Sequence, residues 1–347
     1  MRADPAFTWV QLSGENLALA RAELAGALRA LGGDTAPEDG ATALGPDMVR
    51  IVLPRPEDLV ALASRLALGR RVLREVPSSG AADLSERIGR EGAKGGSASF
   101  RALRAGRAPL ATPQAHSLAA AYRSGGGTID LGAPHRRFRV WEEEGSPVRA
   151  FEEVGSVDRA ALQRRRMPRL AYQRPVSLPP KLGRVAANLA SVRPGDRVVD
   201  PFVGTGALLL EAALLGARVS GGDQSVEMVR GALRNLSSLG ISADELRVGD
   251  AGEAFPPRGG GGWDAVLTDP PYGRASGSRG EPPQELLRRV LPRWADLVRP
   301  GGAVAVVLPG GPDPLPEPWV RAVSVPDRVH RSLTREFRVY RRSNELD

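Results

Sequence analysis

Apolar and polar residues follow two different patterns along the chain. Up to residue 157, segments in which apolar residues alternate, such as 7–12, are interleaved with segments of helical periodicity, such as 17–31. This mixture predicts a region of α+β structure. Its strands are predicted near 7–12, 48–53, 71–76, 97–102, 136–141 and 147–153, and its helices near 17–31, 57–68, 83–91 and 113–123.

From residue 181 onward, short continuous apolar runs alternate with amphipathic segments. Such runs are typical of strands that are buried on both faces, so this half is predicted to form a parallel sheet covered by helices. No helical segment separates the last two runs, which predicts an antiparallel pair at one edge. The strands are expected near 198–199, 218–222, 245–249, 265–268, 303–308, 320–325 and 336–342, and the helices near 207–215, 226–239 and 284–298.

Composition narrows the class of protein. Over 347 residues, 41% are hydrophobic and 25% are charged, which is typical of soluble globular proteins. The chain has no Cys, which excludes disulfides and thiolate metal sites. Its three His residues lie far apart, so no metal site is expected. No apolar run reaches the roughly 18 residues of a membrane span, and the N-terminus lacks an apolar signal core, so a cytoplasmic location is expected.

The positive charge is concentrated in two places. The net charge is +8, and residues 87–139 hold 10 basic and 2 acidic residues. Residues 159–180, which also contain four Pro and six Arg, have little periodicity and are predicted to be a linker. Basic patches of this kind attract polyanions such as nucleic acid. A solvated basic face, or codon usage that favours Arg, is the alternative explanation.

The segment from Asp200 to Gly206 lies between a predicted strand and a predicted helix. Glycines let a ligand approach the backbone closely, and the following helix N-terminus offers free N–H groups. The spacing after Gly206 does not match the dinucleotide fingerprint GxGxxG, which argues against NAD. An acidic residue directly before the loop would repel a pyrophosphate but suits a cationic amino-acid ligand.

Two further acids end the next two predicted strands. Asp223 follows Gly206 by 17 residues, and Asp250 ends the third strand. Ligands of open α/β sheets lie at the carboxyl ends of the strands. An acid at Asp223 can accept both ribose hydroxyls, and Asp250 can accept from an adenine amine. In register with the glycine loop, the two acids indicate a nucleoside pocket.

The strongest motif is Asp-Pro-Pro-Tyr-Gly, which runs from Asp269 to Gly273 at the end of the fourth predicted strand. Proline removes N–H donors and stiffens the backbone, so that carbonyl groups point outward. Asp269 and the Pro270 carbonyl can then accept hydrogen bonds from an exocyclic amine, while Tyr272 can stack on a base. This arrangement aims the amine lone pair at a methyl donor, and catalysis would rest on positioning and electrostatics.

With these motifs, residues 181–347 resemble the class I S-adenosylmethionine-dependent amino-methyltransferases. The flanking sequence resembles the THUMP-containing tRNA guanine-N2 methyltransferases, in particular the archaeal-type enzymes that act on the guanosine at tRNA position 10. The segments that carry this second resemblance are 12–16, 127–131, 174–182 and 269–276. Two departures stand out: Val203 occupies a loop position that is often Cys, and Tyr172-Gln173-Arg174 replaces an aromatic pair and His.

The resemblance implies S-adenosylmethionine as the cofactor and tRNA as the partner. It implies that Asp200 and the loop glycines border the methionine moiety, that Asp223 binds the ribose and that Asp250 binds the adenine. The expected catalytic residues are Asp269, Pro270 and Tyr272. The expected cofactor-binding residues are Asp200, Phe202, Gly204, Thr205, Gly206, Asp223, Gln224, Asp250 and Ala251.

The resemblance also implies a domain order. The fold class is α/β, with a Rossmann-like class I methyltransferase domain at 181–347, an α+β ferredoxin-like domain at 1–76, a THUMP RNA-binding domain at 77–157 and a linker at 158–180. A monomer is expected, with a small activating partner protein as an open alternative. The residues predicted to bind RNA are Lys94, Arg101, Arg104, Arg107, Arg136, Arg137 and Arg174.

Three alternative functions stay open. The first is N2-methylation of another tRNA guanosine, such as position 6. The second is a DNA amino-methyltransferase, which shares the Asp-Pro-Pro-Tyr signature, although the N-terminal half has no recognisable DNA-reading helix pair. The third is a non-catalytic tRNA-binding protein, which the intact acids at Asp200, Asp223, Asp250 and Asp269 disfavour. The number of methyl groups added is not indicated by the sequence.

Overall fold

The computed structural model describes residues 7–36, 44–103, 112–143, 146–166, 170–174, 177–253, 255–256, 261–271, 281–312, 316–330 and 333–344. The helices are α1 (Leu17–Ala30), α2 (Asp58–Arg65), α3 (Ala81–Ala93), α4 (Pro113–Ser124), α5 (Arg159–Arg164), α6 (Pro180–Leu189), α7 (Ala207–Ala213), α8 (Val226–Ser238) and α9 (Pro283–Leu297). The strands are β1 (Thr8–Leu12), β2 (Asp34–Thr35), β3 (Met48–Val52), β4 (Gly69–Glu75), β5 (Ser97–Ala102), β6 (Thr128–Ile129), β7 (Arg136–Trp141), β8 (Arg149–Ser156), β9 (Arg197–Asp200), β10 (Arg218–Asp223), β11 (Glu245–Val248), β12 (Trp263–Thr268), β13 (Val298–Pro309), β14 (Trp319–His330) and β15 (Leu333–Arg342).

The chain divides into two compact units. The first comprises Met1–Leu17, Gly33–Ser64 and Gly69–Val157, and the second comprises Ala18–Gly32, Arg65–Leu68 and Asp158–Asp347. No helix among the described residues is long and apolar enough to cross a membrane. In the same part of the chain, no group of three or more His, Asp or Glu residues is arranged to hold a metal ion.

One eight-stranded sheet, in the order β2-β3-β1-β4-β8-β7-β5-β6, forms the framework of the first unit. Strand β4 pairs antiparallel with β8, so the segments predicted as domains 1–76 and 77–157 share this sheet. Strands β5 and β7 run parallel, which requires a crossover that α4 provides. The division into separate ferredoxin-like and THUMP domains stays a prediction.

The core of the β5–β8 half of this sheet is aromatic. Phe100 of β5 and Phe138 of β7 stack with their ring centroids 4.8 Å apart. Tyr122 of α4 packs on both rings and is fully buried. A methyl group at Gly92 of α3 would overlap the backbone carbonyl of Tyr122. Only glycine at that position lets α3 and α4 approach this closely.

The second unit contains a seven-stranded sheet in the order β11-β10-β9-β12-β13-β15-β14. The first five strands of this order are parallel, and β14 and β15 form an antiparallel pair at one edge. Both features confirm the predicted Rossmann-like class. The strand order reverses between β9 and β12, and ligands of open α/β sheets bind outside the carboxyl ends of the strands at such a switch point.

One short helix, α5, lies within the segment that the sequence predicted to be an irregular linker, and a second helix, α6, begins at the last residue of that segment. Asp158 caps α5 by accepting a hydrogen bond from the Ala161 N–H at 2.8 Å, and α6 begins at Pro180. The consecutive prolines indicated a break in the chain, yet proline is favoured at the first position of a helix because its φ is already helical. The segment predicted as a linker therefore contains the short helix α5, and its role as a linker stays a prediction.

Residues Ala18–Gly32, which include nearly all of α1, belong to the second unit, although the strands before and after this helix belong to the first. The buried carboxylate of Glu23 accepts hydrogen bonds from the Ala67 and Leu68 N–H groups at 2.8 and 2.7 Å. It also accepts one from the Asn188 amide at 2.8 Å. Burial is the main cause that raises the pKa of Glu23. In the sequence, Glu23 is a polar residue among the apolar positions of α1, and nothing there indicated its hydrogen bond to Asn188.

Candidate active site

The loop from Asp200 to Gly206 connects β9 to α7 at the switch point of the sheet. Gly204 and Gly206 have φ values of 48° and 81°, a region that favours glycine. The Val203 N–H donates to the Gly222 carbonyl at 2.7 Å, and the Gly204 N–H donates to Asp223 Oδ2 at 3.0 Å. The loop is thus fixed against the carboxyl end of β10.

Asp200 is a buried acid at the centre of this site, with 2% of its surface exposed. Its Oδ1 accepts hydrogen bonds from the Phe202 N–H at 3.0 Å and from the Thr268 hydroxyl at 2.9 Å. Burial, followed by the negative charges of Asp269 and Asp223, raises the pKa of Asp200 to about 8. A cation placed beside this carboxyl would stabilise its charged form, so the site favours a positively charged ligand.

Asp223 lies where the sequence predicted, at the end of β10. Besides Gly204, its carboxylate accepts a hydrogen bond from the Ser225 N–H at 2.9 Å. Each carboxylate oxygen has two lone pairs, so both oxygens keep a site for a further donor. Asp223 therefore also orients the glycine loop, a role that the sequence did not indicate.

Asp250 follows β11 and forms a cluster with Gln224 and Arg289. Gln224 donates to Asp250 Oδ2 at 2.6 Å, and Arg289 donates to Oδ1 at 2.7 Å. Arg289 also donates to both carboxylate oxygens of Glu281 at 3.2 Å. Partial burial tends to raise the pKa of Asp250, but the bond from Arg289 and its charge outweigh that tendency, so the pKa is lowered.

A small pocket lies between the ends of β10 and β11. Gly222, Asp250, Ala251 and Phe255 line it, and the Arg247 guanidinium lies 3.7 Å from the centroid of the Phe255 ring. An apolar ring beside an acid suits a flat heterocycle with an exocyclic amine, but the pocket has a volume of only about 10 Å³ and Arg247 covers the ring. A heterocycle could therefore enter only if the Arg247 side chain moved.

Phe202 and Ala251 both pack against the core of this domain, and Ala251 also lines the pocket. Phe202 contacts Trp294 edge to face, with ring centroids 6.5 Å apart. The Ala251 carbonyl accepts a hydrogen bond from the Trp294 indole at 3.1 Å. Trp294 thereby fixes two backbone segments that border the predicted cofactor site.

Asp269 and Pro270 directly follow β12, next to Asp200 across the switch point. Strand β12 pairs with β9, and its last residue, Thr268, donates to Asp200. The Asp269 Oδ1 atom is buried. The structure therefore brings the two predicted motifs together. The third predicted catalytic residue, Tyr272, lies outside the described residues.

A cavity of about 260 Å³ opens beside the first turn of α7. Its walls come from α7, from the two residues after α5, from Leu170 and from residues 177–180. The Thr205 hydroxyl donates to the Ser177 hydroxyl at 3.0 Å, so the chain before α6 contacts the glycine loop. Below the cavity, Arg165 and Arg184 form ion pairs with the fully buried Glu211 at 2.7 and 2.9 Å.

Two of the residues predicted to bind RNA are held in ion pairs within the first unit. Lys94 pairs with Glu91 at 2.6 Å. Arg136 pairs with the same Glu91 at 2.8 Å and with Glu152 at 2.7 Å. Their charges are thus partly compensated by neighbouring carboxylates, which weakens their attraction for phosphate.

The other predicted RNA-binding residues differ from one another. Arg137 is exposed on β7, whereas Arg101 donates to the Leu131 carbonyl at 2.9 Å. Arg174 donates to the Tyr172 hydroxyl at 2.8 Å and pairs with Glu227. Arg104 and Arg107 lie outside the described residues. These assignments stay predictions.

Three residues of the site were not predicted from the sequence. Arg289 was one of many arginines, and its contact with Asp250 depends on how α9 packs. Phe255 lies in a segment with no regular pattern. Ser177 belonged to a stretch that carried the family resemblance, which was the one available signal.

Comparison with known proteins agrees with this geometry. Residues 168–315 match the family model described as an RMKL-like methyltransferase domain. A tRNA (guanine(10)-N2)-dimethyltransferase from Methanothermobacter thermautotrophicus is 39% identical over 171 residues, which cover 48% of this chain and 50% of the relative. A tRNA (guanine(6)-N2)-methyltransferase from Thermus thermophilus is 34% identical over 223 residues, covering 62% and 61% of the two chains.

Among solved structures, TrmN from Thermus thermophilus aligns with 97% of this chain and 99% of its own, with a TM-score of 0.49 and 22% sequence identity. The chain spans about half the length of the curated relatives it matches first. The matched region contains the glycine loop, Asp223, Asp250 and Asp269. Residues 168–315 of this chain are therefore similar to RMKL-like methyltransferase domains.

Proposed function

We propose that this protein transfers a methyl group from S-adenosylmethionine to the exocyclic N2 of the guanosine at position 10 of tRNA. The observation that carries the proposal is the juxtaposition of Asp200 and Asp269 at the switch point, joined through Thr268. One acid lies in a glycine loop suited to a cationic ligand, and the other belongs to the Asp-Pro-Pro segment suited to an amine.

The residues present fit S-adenosylmethionine. The buried Asp200, whose raised pKa a cation would lower, suits the ammonium group of the methionine moiety. An added Cβ at Gly204 would meet only the Phe202 carbonyl oxygen, at 3.8 Å, which leaves room beside the loop. Asp223 would hold the ribose, and Asp250 would accept from the adenine amine once the Arg247 side chain has moved off the Phe255 ring. When bound, this group supplies an electrophilic methyl.

The chain itself positions the acceptor amine. Asp269 and the Pro270 carbonyl accept hydrogen bonds from the N2 amino group and thereby orient its lone pair. As positive charge grows on the nitrogen, the Asp269 carboxylate stabilises it and can accept the proton that is released. The target guanine must leave its helical stack to reach this edge, since its N2 is otherwise engaged.

The relatives support tRNA as the substrate and position 10 as the target. Several of them are named tRNA (guanine(10)-N2)-dimethyltransferases, at 34–39% identity in three cases. The first unit, with the net positive charge of residues 87–139, is the part of the chain that would grip the tRNA. Among the predicted RNA-binding arginines that the structure describes in this unit, Arg137 is the exposed one.

Position 6 of tRNA is the second candidate target. The Thermus thermophilus relative that is named for position 6 matches a longer stretch, 223 residues, than the 171 matched by the Methanothermobacter relative. Its lower identity of 34%, compared with 39%, favours position 10.

A methylation assay on unmodified tRNA transcripts tests the proposal. The protein is incubated with a transcript pool and isotope-labelled S-adenosylmethionine, and the products are identified by nucleoside mass analysis and mapped along the tRNA. N2-methylguanosine or N2,N2-dimethylguanosine at position 10 is expected, and Asp269→Ala serves as the inactive control. The same product at position 6 would refute position 10 as the target but keep the N2-methylation of tRNA. Methylation of DNA alone would refute tRNA as the substrate.

A further inference from the structure

The described residues 170–174 and 177–178 lie beside the predicted cofactor loop, in the chain that precedes it. Ser177 meets Thr205 through their hydroxyl groups, 3.0 Å apart. Leu170, Ser177 and Leu178 also line the cavity beside the first turn of α7. This segment, as far as it is described, therefore forms one wall next to the glycine loop.

A single buried side chain ties this wall to the loop. Asn235 of α8 is fully buried. Its amide donates to the Tyr172 carbonyl and to the Thr205 carbonyl, both at 2.9 Å, and its Oδ1 accepts from the Tyr172 N–H at 2.8 Å. Asn235 thus makes three hydrogen bonds, two to the backbone of Tyr172 and one to the backbone of the glycine loop.

The same helix has a gap that receives the Tyr172 ring. A methyl group at Gly231, one turn before Asn235, would overlap that ring. At its far end, the Tyr172 hydroxyl donates to Glu227 at 3.1 Å and accepts from Arg174 at 2.8 Å. The position of Tyr172 is therefore set by its backbone, by its ring and by its hydroxyl, all on one face of α8.

We propose that Asn235 is a positioning residue for S-adenosylmethionine, acting through Tyr172 and Thr205 rather than by touching the ligand. This inference rests on the proposed function, because it assumes that the glycine loop binds that molecule. Asn235 holds the wall and the loop in the arrangement that receives the cofactor. Arg174, which the sequence assigned to RNA, serves in this scheme to hold Tyr172.

The expected effect falls on affinity and not on the chemical step. If the wall is held in place for only a fraction of the time, the apparent dissociation constant rises by the inverse of that fraction. A variant in which the wall is in place about a tenth of the time would bind about tenfold more weakly. At saturating cofactor its turnover number would stay close to that of the wild type.

Two variants disturb the wall by independent routes. Asn235→Ala removes the three hydrogen bonds. Gly231→Ala leaves Asn235 intact but displaces the Tyr172 ring, and alanine is the better helix former by about 1 kcal/mol. The double variant Gly231→Ala/Tyr172→Ala removes the overlap while keeping the backbone that Asn235 binds. Leu233→Ala, on the exposed face of α8, is the matched control.

The measurement is calorimetric titration of each full-length variant with S-adenosylhomocysteine, together with its turnover number and its free energy of unfolding. We expect about tenfold weaker binding for Asn235→Ala and Gly231→Ala, recovery to within about threefold in the double variant, and no change for Leu233→Ala. A merely structural role would lower the unfolding free energy of Gly231→Ala, whereas the positioning role weakens binding while that energy is kept.

Two results would count against different claims. Wild-type affinity in both Asn235→Ala and Gly231→Ala would overturn the positioning role alone. A wild-type protein that binds no S-adenosylhomocysteine would instead overturn the proposed function.

Discussion

Replacing Asp200 by asparagine should change how the stability of the protein depends on pH. Asp200 is buried, and its pKa in the folded state is raised to about 8 from the ordinary 3.8. Between these two values the folded protein retains a proton that the unfolded chain has lost. Unfolding therefore releases a proton, and the unfolding free energy falls as pH rises through this window.

The size of this effect follows from the window. One proton held by the folded state and not by the unfolded state lowers stability by about 1.4 kcal/mol for each pH unit. Between pH 5.5 and 8.0, the titration of Asp200 should therefore lower the unfolding free energy of the wild type by about 3 kcal/mol. Asparagine has the same shape and can still accept from Thr268, but it does not ionise. The Asp200→Asn variant should lack this loss.

Urea unfolding of both proteins at several pH values between 5.5 and 8.0 measures the difference directly. The unfolding free energy of Asp200→Asn minus that of the wild type should grow by about 3 kcal/mol across the range, because the other titrating groups cancel in the subtraction. If the two stability curves run parallel, the pKa of Asp200 is not raised in the folded protein, and the argument that burial raises it is refuted.

Three further predictions concern the same domain. Asp269→Ala should abolish methyl transfer while largely sparing S-adenosylhomocysteine binding, and turnover above about a tenth of wild type would contradict its role. Glu211→Ala should lower the unfolding free energy by about 3–5 kcal/mol because it removes the buried carboxylate that compensates the charges of the buried Arg184 and the half-buried Arg165, whereas Arg164→Ala should change nothing in the same urea experiment. Gly206→Ala should cost about 1–2 kcal/mol, because φ must stay left-handed, and an unchanged denaturation midpoint would count against that backbone requirement.

Short-range patterns were enough to predict most of the catalytic half. Strands such as β9 and β12 are apolar runs between turn residues, and the acids at their carboxyl ends lie at one edge of the sheet because parallel strands end at the same edge. The antiparallel edge pair followed from the missing crossover helix. The sequence therefore placed Asp200 and Asp269 each at the end of a strand, whereas their juxtaposition depends on the pairing of β9 with β12.

Contacts made by long-range packing could not be predicted in this way. The ion pair between Arg289 and Asp250, and the bonds from Asn235 to Tyr172, join residues 39 and 63 positions apart. No local periodicity marks such pairs. Helix α6 was not predicted because Pro179 and Pro180 indicated a break in the chain. The single sheet of the first unit could not be predicted either, because it depends on the pairing of β4 with β8.

The most direct test of the central claim compares two tRNA transcripts that differ at one atom group. One carries guanosine at position 10, and the other carries inosine, which lacks only the N2 amino group. The account expects methyl transfer from S-adenosylmethionine to the guanosine transcript and none to position 10 of the inosine transcript. Equal methylation of both transcripts would show that the N2 of this guanosine is not the acceptor, and would contradict the account.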